Sequence, residues 1–251
     1  MRMTGRPPWP AGAGAGSKID LAAIGTRPIE SVAPRGRAAP PRGPIVPQPM
    51  SNPALQTAPP TRRPAAFIDR DGVINAELDY VHRIADFHVL PGVFDGLRAL
   101  AAHGFELVVV TNQAGIAKGL YTEADFQRLT RHMLALFADE GIRVAAVLHC
   151  PHHPQAVVRE YALECDCRKP APGMLLRAAA EHGLALERSV MIGDKTSDTD
   201  AGRAAGVAST VLVESGHALA ADALAHADHR CADLRAAAQW ICARPPHRPA
   251  D

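Results

Sequence analysis

Aromatic residues are scarce: two Trp, three Tyr and six Phe make up 4% of 251 positions. That leaves little material for the stacking platforms that hold single-stranded bases. No run of 18 apolar residues occurs, so no membrane-spanning helix is expected. The opening stretch, MRMTGRPPWPAGAGAG, has a weak basic region with no continuous apolar segment behind it, and a secretory signal is not expected. Several motifs are also missing. No GxGxxG follows the first strand-like run, no GxxxxGK(S/T) is present and no GxSxG appears, so a dinucleotide fold, a nucleoside-triphosphate loop and a serine hydrolase all lack support.

Net charge is nearly absent, at +1, but it is unevenly spread. Residues 1–64 hold nine Lys/Arg against two Asp/Glu, a balance of +7, and the remainder carries −6. A basic segment joined to a mildly acidic body is not the composition of a nucleic-acid-binding domain. The same segment holds 14 of the 22 prolines. Proline cannot donate to a ladder and glycine raises the cost of ordering, so residues 1–63 are expected to be a disordered leader. Met50 opens a shorter alternative, MSNPALQTAPPTRRP, and the longer leader is equally readable as a misassigned start. Residues 243–251 are expected to be a disordered tail.

Between them, residues 64–242 alternate two hydrophobic signatures. AAFID (65–69), FELVVVTN (105–112), IRVAAVLH (142–149), RSVMIGD (188–194) and STVLVE (209–214) are short apolar runs that read as buried strands. Helical patterns lie between them at 91–104, 122–140, 172–182 and roughly 199–205, and an alanine-rich stretch at 219–242 reads as a further helix. Thr122 and Asp125 have the spacing of a capping box, and Gly141 can stop the helix they open. Alternation of this kind implies an α/β fold, a mostly parallel sheet flanked by helices. Polar residues bunch behind the strands, at the carboxyl edge where open α/β sheets bind ligands.

DRDG places Asp69 and Asp71 two residues apart at the mouth of the first strand. Continued extended geometry would point both carboxylates one way and Arg70 the other. Paired carboxylates repel unless a cation sits between them or one keeps a proton. Asp69, held ionised by Mg²⁺, can attack phosphorus, while Asp71 protonates the leaving alkoxide and then takes a proton from water. Alone, DxDG is equally an Asx turn. Other groups shift the balance. Thr111 and Asn112 end a strand with uncharged donors, and residues 113–115 can bring backbone N–H groups to an anion. Lys169 can shield a phosphoryl group from Asp69, and Asp194 can complete an oxygen-ligand Mg²⁺ site with Asp69 and the Asp71 backbone carbonyl. Asp198 is placed to orient Lys169 or Lys195.

Three of the five cysteines fall within 18 residues, among histidines. Cys150, His152, Cys165 and Cys167 form a Cys₃His set suited to tetrahedral Zn²⁺, with His153 as the alternative imidazole. Four protein ligands leave no open position, so this zinc would be structural, and it would fix the loop at 150–167 that delivers Arg168 and Lys169. Cys231 and Cys242 have no such partners and read as packing residues.

Taken in order, DxD, TN, Lys and GDxxxD resemble the haloacid dehalogenase superfamily of phosphotransferases over residues 64 to about 215. The resemblance implies a Rossmann-like domain with Asp69 as nucleophile, Asp71 as general acid/base, Thr111 and Lys169 on the phosphoryl group and Asp194 on Mg²⁺. With only about 40 residues between Asp71 and Thr111, no large cap domain is expected. DRDGVIN, VVVTNQAGIAKG, CPHHP and CDCRKP further resemble the heptose 1,7-bisphosphate 7-phosphatase family. That likeness implies a cytoplasmic monomer acting on a small phosphorylated sugar at its C7 phosphate. Arg168 would hold the distal C1 phosphate, with Asn112, Gln113 and Lys195 lining the pocket and residues 80–82 shaping its mouth. The histidinol-phosphate phosphatases share the zinc pattern with a shorter spacer than the twelve residues between His152 and Cys165. Histidinol phosphate or another small phosphomonoester is therefore the alternative substrate. A zinc-stabilised interaction module that has lost catalysis is the alternative of another class, and the intact acids and Lys169 argue against it.

Overall fold

The computed structural model describes residues 62–217 and 223–244. The expectations for the leader, for most of the tail and for part of the alanine-rich stretch fall outside these residues. Within them, β1 (Ala65–Ile68), α1 (Val93–Ala102), β2 (Glu106–Asn112), a single turn α2 (Ala114–Ala117) and α3 (Glu123–Asp139) are followed by β3 (Val144–Cys150) and α4 (Gly173–His182). Then come β4 (Val190–Gly193), α5 (Thr196–Ala205), β5 (Ser209–Val213), β6 (His229–Cys231) and α6 (Leu234–Cys242).

Six parallel strands form one sheet in the order β3-β2-β1-β4-β5-β6. The chain winds outward from β1 in one direction, then returns to β4 and winds outward in the other. The reversal falls between β1 and β4, which pair directly, and a crevice opens there beyond the strand ends. Alternation along each strand feeds two cores. Ala66, Ile68 and Ile192 pack with Leu97 of α1, Phe126, Met133 and Phe137 of α3, and Ile241 of α6. Ala65, Phe67, Val110 and Met191 pack on the other face with Met174 and Leu175 of α4 and Ala201 of α5. Burial on both faces explains why the strands read as continuous apolar runs.

The capping box forms as expected, with Asp125 N–H donating to Thr122 Oγ1 and Thr122 N–H to Asp125 Oδ2. The alanine-rich stretch is not one helix. Its described part comprises a short 3₁₀ turn at Ala223–His226, the edge strand β6 and then α6, which Asp233 caps at Ala236 N–H. β6, which holds no alanine, pairs with β5 and interrupts the stretch. Cys231 is buried in the core and Cys242 lies partly buried against it, in keeping with packing roles.

Candidate active site

Asp69 follows β1 directly, and its N–H donates to Ile192 O of β4 at 2.9 Å. Asp194 follows β4. The two acids thus emerge side by side at the strand reversal. Room for Asp194 depends on glycine. Gly72 has φ +87°, and a Cβ there would lie 2.4 Å from Asp194 Oδ2. Gly193 is equally constrained, since a Cβ would fall 2.1 Å from that of Asp198.

Lys169 sits between these acids with 3% of its surface exposed. Its ammonium lies 2.9 Å from Asp69 Oδ1, 2.7 Å from Asp198 Oδ1 and 2.8 Å from Val110 O, so all three N–H donors are satisfied. Burial alone would lower the Lys169 pKa, but the charges of Asp198 and Asp69 outweigh it and the net shift is upward. Asp69 behaves differently. Burial pushes it up to about 6 against the pull of Lys169, with Asp198 and Asp71 adding repulsion. Asp194 is raised as well, by burial first and by Asp69 next.

Carboxylate oxygens of Asp69, Asp194 and Asp198 all lie within 4.8 Å of one another. Asp194 Oδ2 accepts from His217 Nδ1 at 2.6 Å, whereas Asp194 Oδ1 is buried without a partner. A buried, unsatisfied acceptor among acids shifted upward is the arrangement that a hard, oxygen-seeking cation completes.

Asp71 accepts from Arg70, Asn75 and Gln113. Arg70 therefore does not point away, as unbroken extended geometry would require. β1 ends at Ile68, and Arg70 O accepts N–H bonds from Ile74 and Asn75 at 2.8 and 3.2 Å, so a turn replaces the strand and the guanidinium folds back onto Asp71. Gln113 Nε2 also donates to Thr111 Oγ1 at 2.8 Å, and Tyr121 Oη donates to Gln113 Oε1 at 2.6 Å. Asn112 lines the pocket, but its amide is engaged by the Lys169 backbone, accepting from its N–H at 3.1 Å and donating to its carbonyl at 3.0 Å. Asp198 serves both lysines, holding the Lys169 ammonium and accepting the Lys195 N–H at 3.0 Å.

These groups open into a cavity of about 540 Å³. Asp69, Asp71, Thr111 and Lys169 form its floor, and Tyr80, Lys118, His153, Arg168 and Lys195 rise around it. Tyr80 follows Asp79 in a loop where both have positive φ, +58° and +52°, conformations that cost non-glycine residues free energy. The Lys118 ammonium bonds the Tyr80 hydroxyl and lies 4.8 Å from its ring centroid. Lys195 reaches Glu77 at 3.5 Å. Lys118 caps the end of α2 within the VVVTNQAGIAKG run but is not singled out there as a site residue, while Glu77 and His217 lie outside the motifs that the sequence offers.

Beside Lys169, Cys150, His152, Cys165 and Cys167 converge. Their sulfurs are 3.2–3.5 Å apart and all are free thiols, while His152 Nδ1 lies 3.3 Å from Cys167 and 3.7 Å from Cys150. His153 Nδ1 instead accepts Gln155 N–H at 3.1 Å, outside the cluster. Hydrogen bonding from Cys150 draws the Cys167 thiol down to about 5. Cys150 is pushed up, first by its bond to Cys167, and Cys165 by burial. Three sulfurs and one imidazole nitrogen at these separations form a metal-binding cluster. Val157 and Val158 donate to Ala117 O at 2.9 and 3.0 Å, which ties this loop to α2.

Comparison with known proteins places the chain among phosphatases. A family model described as HAD-hydrolase-like matches residues 166–237. The D-glycero-beta-D-manno-heptose-1,7-bisphosphate 7-phosphatase of Yersinia pestis is 46% identical over 165 residues, covering 66% of this chain and 88% of that protein. The corresponding alpha-anomer phosphatase of Photorhabdus laumondii is 41% identical over 152 residues, 61% of this chain and 83% of that protein. The D,D-heptose 1,7-bisphosphate phosphatase of B. bronchiseptica, solved with magnesium and phosphate, superposes with a TM-score of 0.61 at 30% identity, over 71% of this chain and 97% of that one.

Proposed function

The chain belongs to the heptose-1,7-bisphosphate 7-phosphatase family of haloacid dehalogenase-like hydrolases, and from that premise we propose that it removes the C7 phosphate of D-glycero-D-manno-heptose 1,7-bisphosphate through a phospho-aspartate on Asp69. The observation that carries this reading is the junction of Asp69, Lys169 and Asp194 at one strand reversal, opening into a cavity with a second cationic wall.

Mg²⁺ held by Asp69, Asp194 and the Asp71 backbone carbonyl would supply charge neutralisation between the carboxylates and the incoming phosphoryl group. The chain's own groups do the rest. Asp69 presents an oxygen to phosphorus from a buried position, where little water must be displaced at the moment of attack. Lys169, already fully ionised and fixed by Asp198, compensates charge on the equatorial oxygens. Thr111 is oriented toward the same oxygens by Gln113. Asp71 gives its proton to O7 of the departing sugar, then accepts one from the water that attacks the phospho-aspartate. The first half-reaction leaves it in the state the second requires.

Arg168 supports selection of a bisphosphate, because a guanidinium fits a phosphate's oxygens in a fork. It is held at the rim by His152 O, 3.4 Å away. Lys118 and Lys195 add positive charge around the sugar, with Asn112 and Gln113 nearby. Zn²⁺ is the metal we assign to Cys150, His152, Cys165 and Cys167, in a closed structural site. The catalytic domain runs over residues 64–242. We propose that it acts as a monomer; no described helix is long and apolar enough to cross a membrane. We place the reaction in the cytoplasm, where reduced thiols remain available to a metal.

The test is a side-by-side measurement of kcat/KM for both C1 anomers of the heptose bisphosphate, fructose 1,6-bisphosphate and histidinol phosphate with Mg²⁺. Preference for a heptose bisphosphate is the expected result. Faster turnover of histidinol phosphate would transfer the assignment to the phosphomonoester alternative.

A further inference from the structure

Among the described residues Arg70 is the largest fully buried side chain, at 1% exposure, and nothing in the mechanism above employs it. Its Nε and Nη2 reach Asp71 Oδ1 at 3.1 and 2.8 Å, and Nη2 reaches Oδ2 at 2.7 Å. Nη2 also donates to Val81 O at 2.8 Å. The guanidinium carbon lies 5.7 Å from the Phe126 ring centroid, and Nη1 is buried with no partner. An apolar side chain of similar volume would fill this space without an unsatisfied nitrogen, so packing stability gives no reason for an arginine here.

Asp71 supplies the reason. Nη2 has two hydrogens for three acceptors, so with one on Val81 O it shares the other between both Asp71 oxygens, while Nε and, at 3.0 Å, Asn75 Nδ2 fill the two lone pairs of Oδ1. Apart from that shared hydrogen Oδ2 meets Gln113, which in turn touches Thr111, so Oδ2 is the oxygen that keeps capacity for a substrate. The clamp thus fixes which oxygen faces the phosphoryl site. It also links that oxygen to the loop at the pocket mouth, since Val81 is buried beneath Arg70 and the neighbouring His82 stacks on Tyr121 at 4.9 Å.

We infer that Arg70 is the positioning residue for Asp71: it turns one carboxylate oxygen toward the leaving-group oxygen of the substrate and holds it there. This rests on Asp71 being the general acid/base. Misplacing a general acid harms a poor leaving group far more than a good one, because only the poor one needs its proton. The experiment therefore compares kcat/KM for benzyl phosphate, an alkyl ester, with that for p-nitrophenyl phosphate in wild type, Arg70→Met, Arg70→Lys and Asp71→Asn. The ratio of the two rates does not depend on the fraction of enzyme that is folded. For Arg70→Met the loss on benzyl phosphate should exceed the loss on p-nitrophenyl phosphate by at least about 10-fold, a part of the roughly 10²–10⁴-fold such catalysis contributes. Arg70→Lys, with charge but no fork, should fall between, and it decides the matter if Arg70→Met yields no soluble protein. Equal losses on both esters in the Arg70 variants, with a selective loss in Asp71→Asn, would overturn the inference and leave Asp71 as the acid. Equal losses in Asp71→Asn as well would show that the reading of Asp71 itself had failed.

Discussion

The Lys169 ammonium lies 2.7 Å from Asp198 Oδ1, nearer than to Asp69, and both partners are about 1% exposed. Asp198 accordingly carries the cost of burying the cation and leaves Asp69 available to react. Removing one member of a buried ion pair strands the other, at about 3–5 kcal/mol. Asp198→Ala should lose about that much unfolding free energy, and phosphatase activity should fall with it. Equilibrium denaturation in urea measures the first and steady-state turnover the second. Unchanged stability would mean that Lys169 finds compensation elsewhere.

Much of this arrangement was legible in the sequence for a physical reason. Each strand end is marked by a change from apolar to acidic or hydroxyl residues, as at FID, VVVTN and VMIGD, so strand limits and site residues are read from one signal. Cys150, His152, Cys165 and Cys167 were legible because metal ligation demands close spacing. Arg70 was misread because alternation holds only while a strand lasts, and β1 stops at Ile68. β6 was hidden in an alanine-rich stretch, since three residues on a sheet edge carry too little pattern to outweigh composition. His217 comes from a loop whose path no local pattern encodes, whereas Lys118 stands within VVVTNQAGIAKG and only the folded chain shows it reaching Tyr80.

Without magnesium, the acids in the crevice should make stability depend on pH. Asp69 is raised from 3.8 to about 6 by burial. Between those values the folded state binds more protons than the unfolded chain, so stability falls as pH rises through this window. Melting temperatures of the magnesium-free protein should decline from about pH 4 to about pH 6 relative to Asp69→Asn, in which that contribution is gone. Saturating Mg²⁺ should flatten the difference. A parallel pair of curves would contradict the assigned shift.

Arg168 and Lys169 directly follow Cys167, so the proposed zinc site would couple the metal cluster to catalysis. Cys167→Ser removes a ligand outright, so zinc affinity should fall by more than the roughly 10–100-fold typical of losing an outer-shell partner. Zinc content by atomic spectroscopy, melting temperature and activity should all drop together. Full activity in a zinc-free variant would separate the cluster from the active site.

Arg168→Gln should discriminate between substrates. Losing a hydrogen bond to a charged group costs about 1.5–3 kcal/mol. That corresponds to roughly 10–150-fold in kcat/KM for the heptose bisphosphate. A simple monophosphate, with no distal group to hold, should lose far less. Equal losses would place Arg168 outside the distal phosphate site.

The nucleophile itself is tested most directly by rapid acid quench during turnover of the heptose bisphosphate, followed by peptide mass analysis. The account requires a transient, acid-stable phosphoryl adduct on the peptide carrying Asp69, absent from Asp69→Asn, whose turnover should fall by on the order of 10⁴-fold or more. An adduct on any other residue, or substantial turnover in Asp69→Asn, would contradict it.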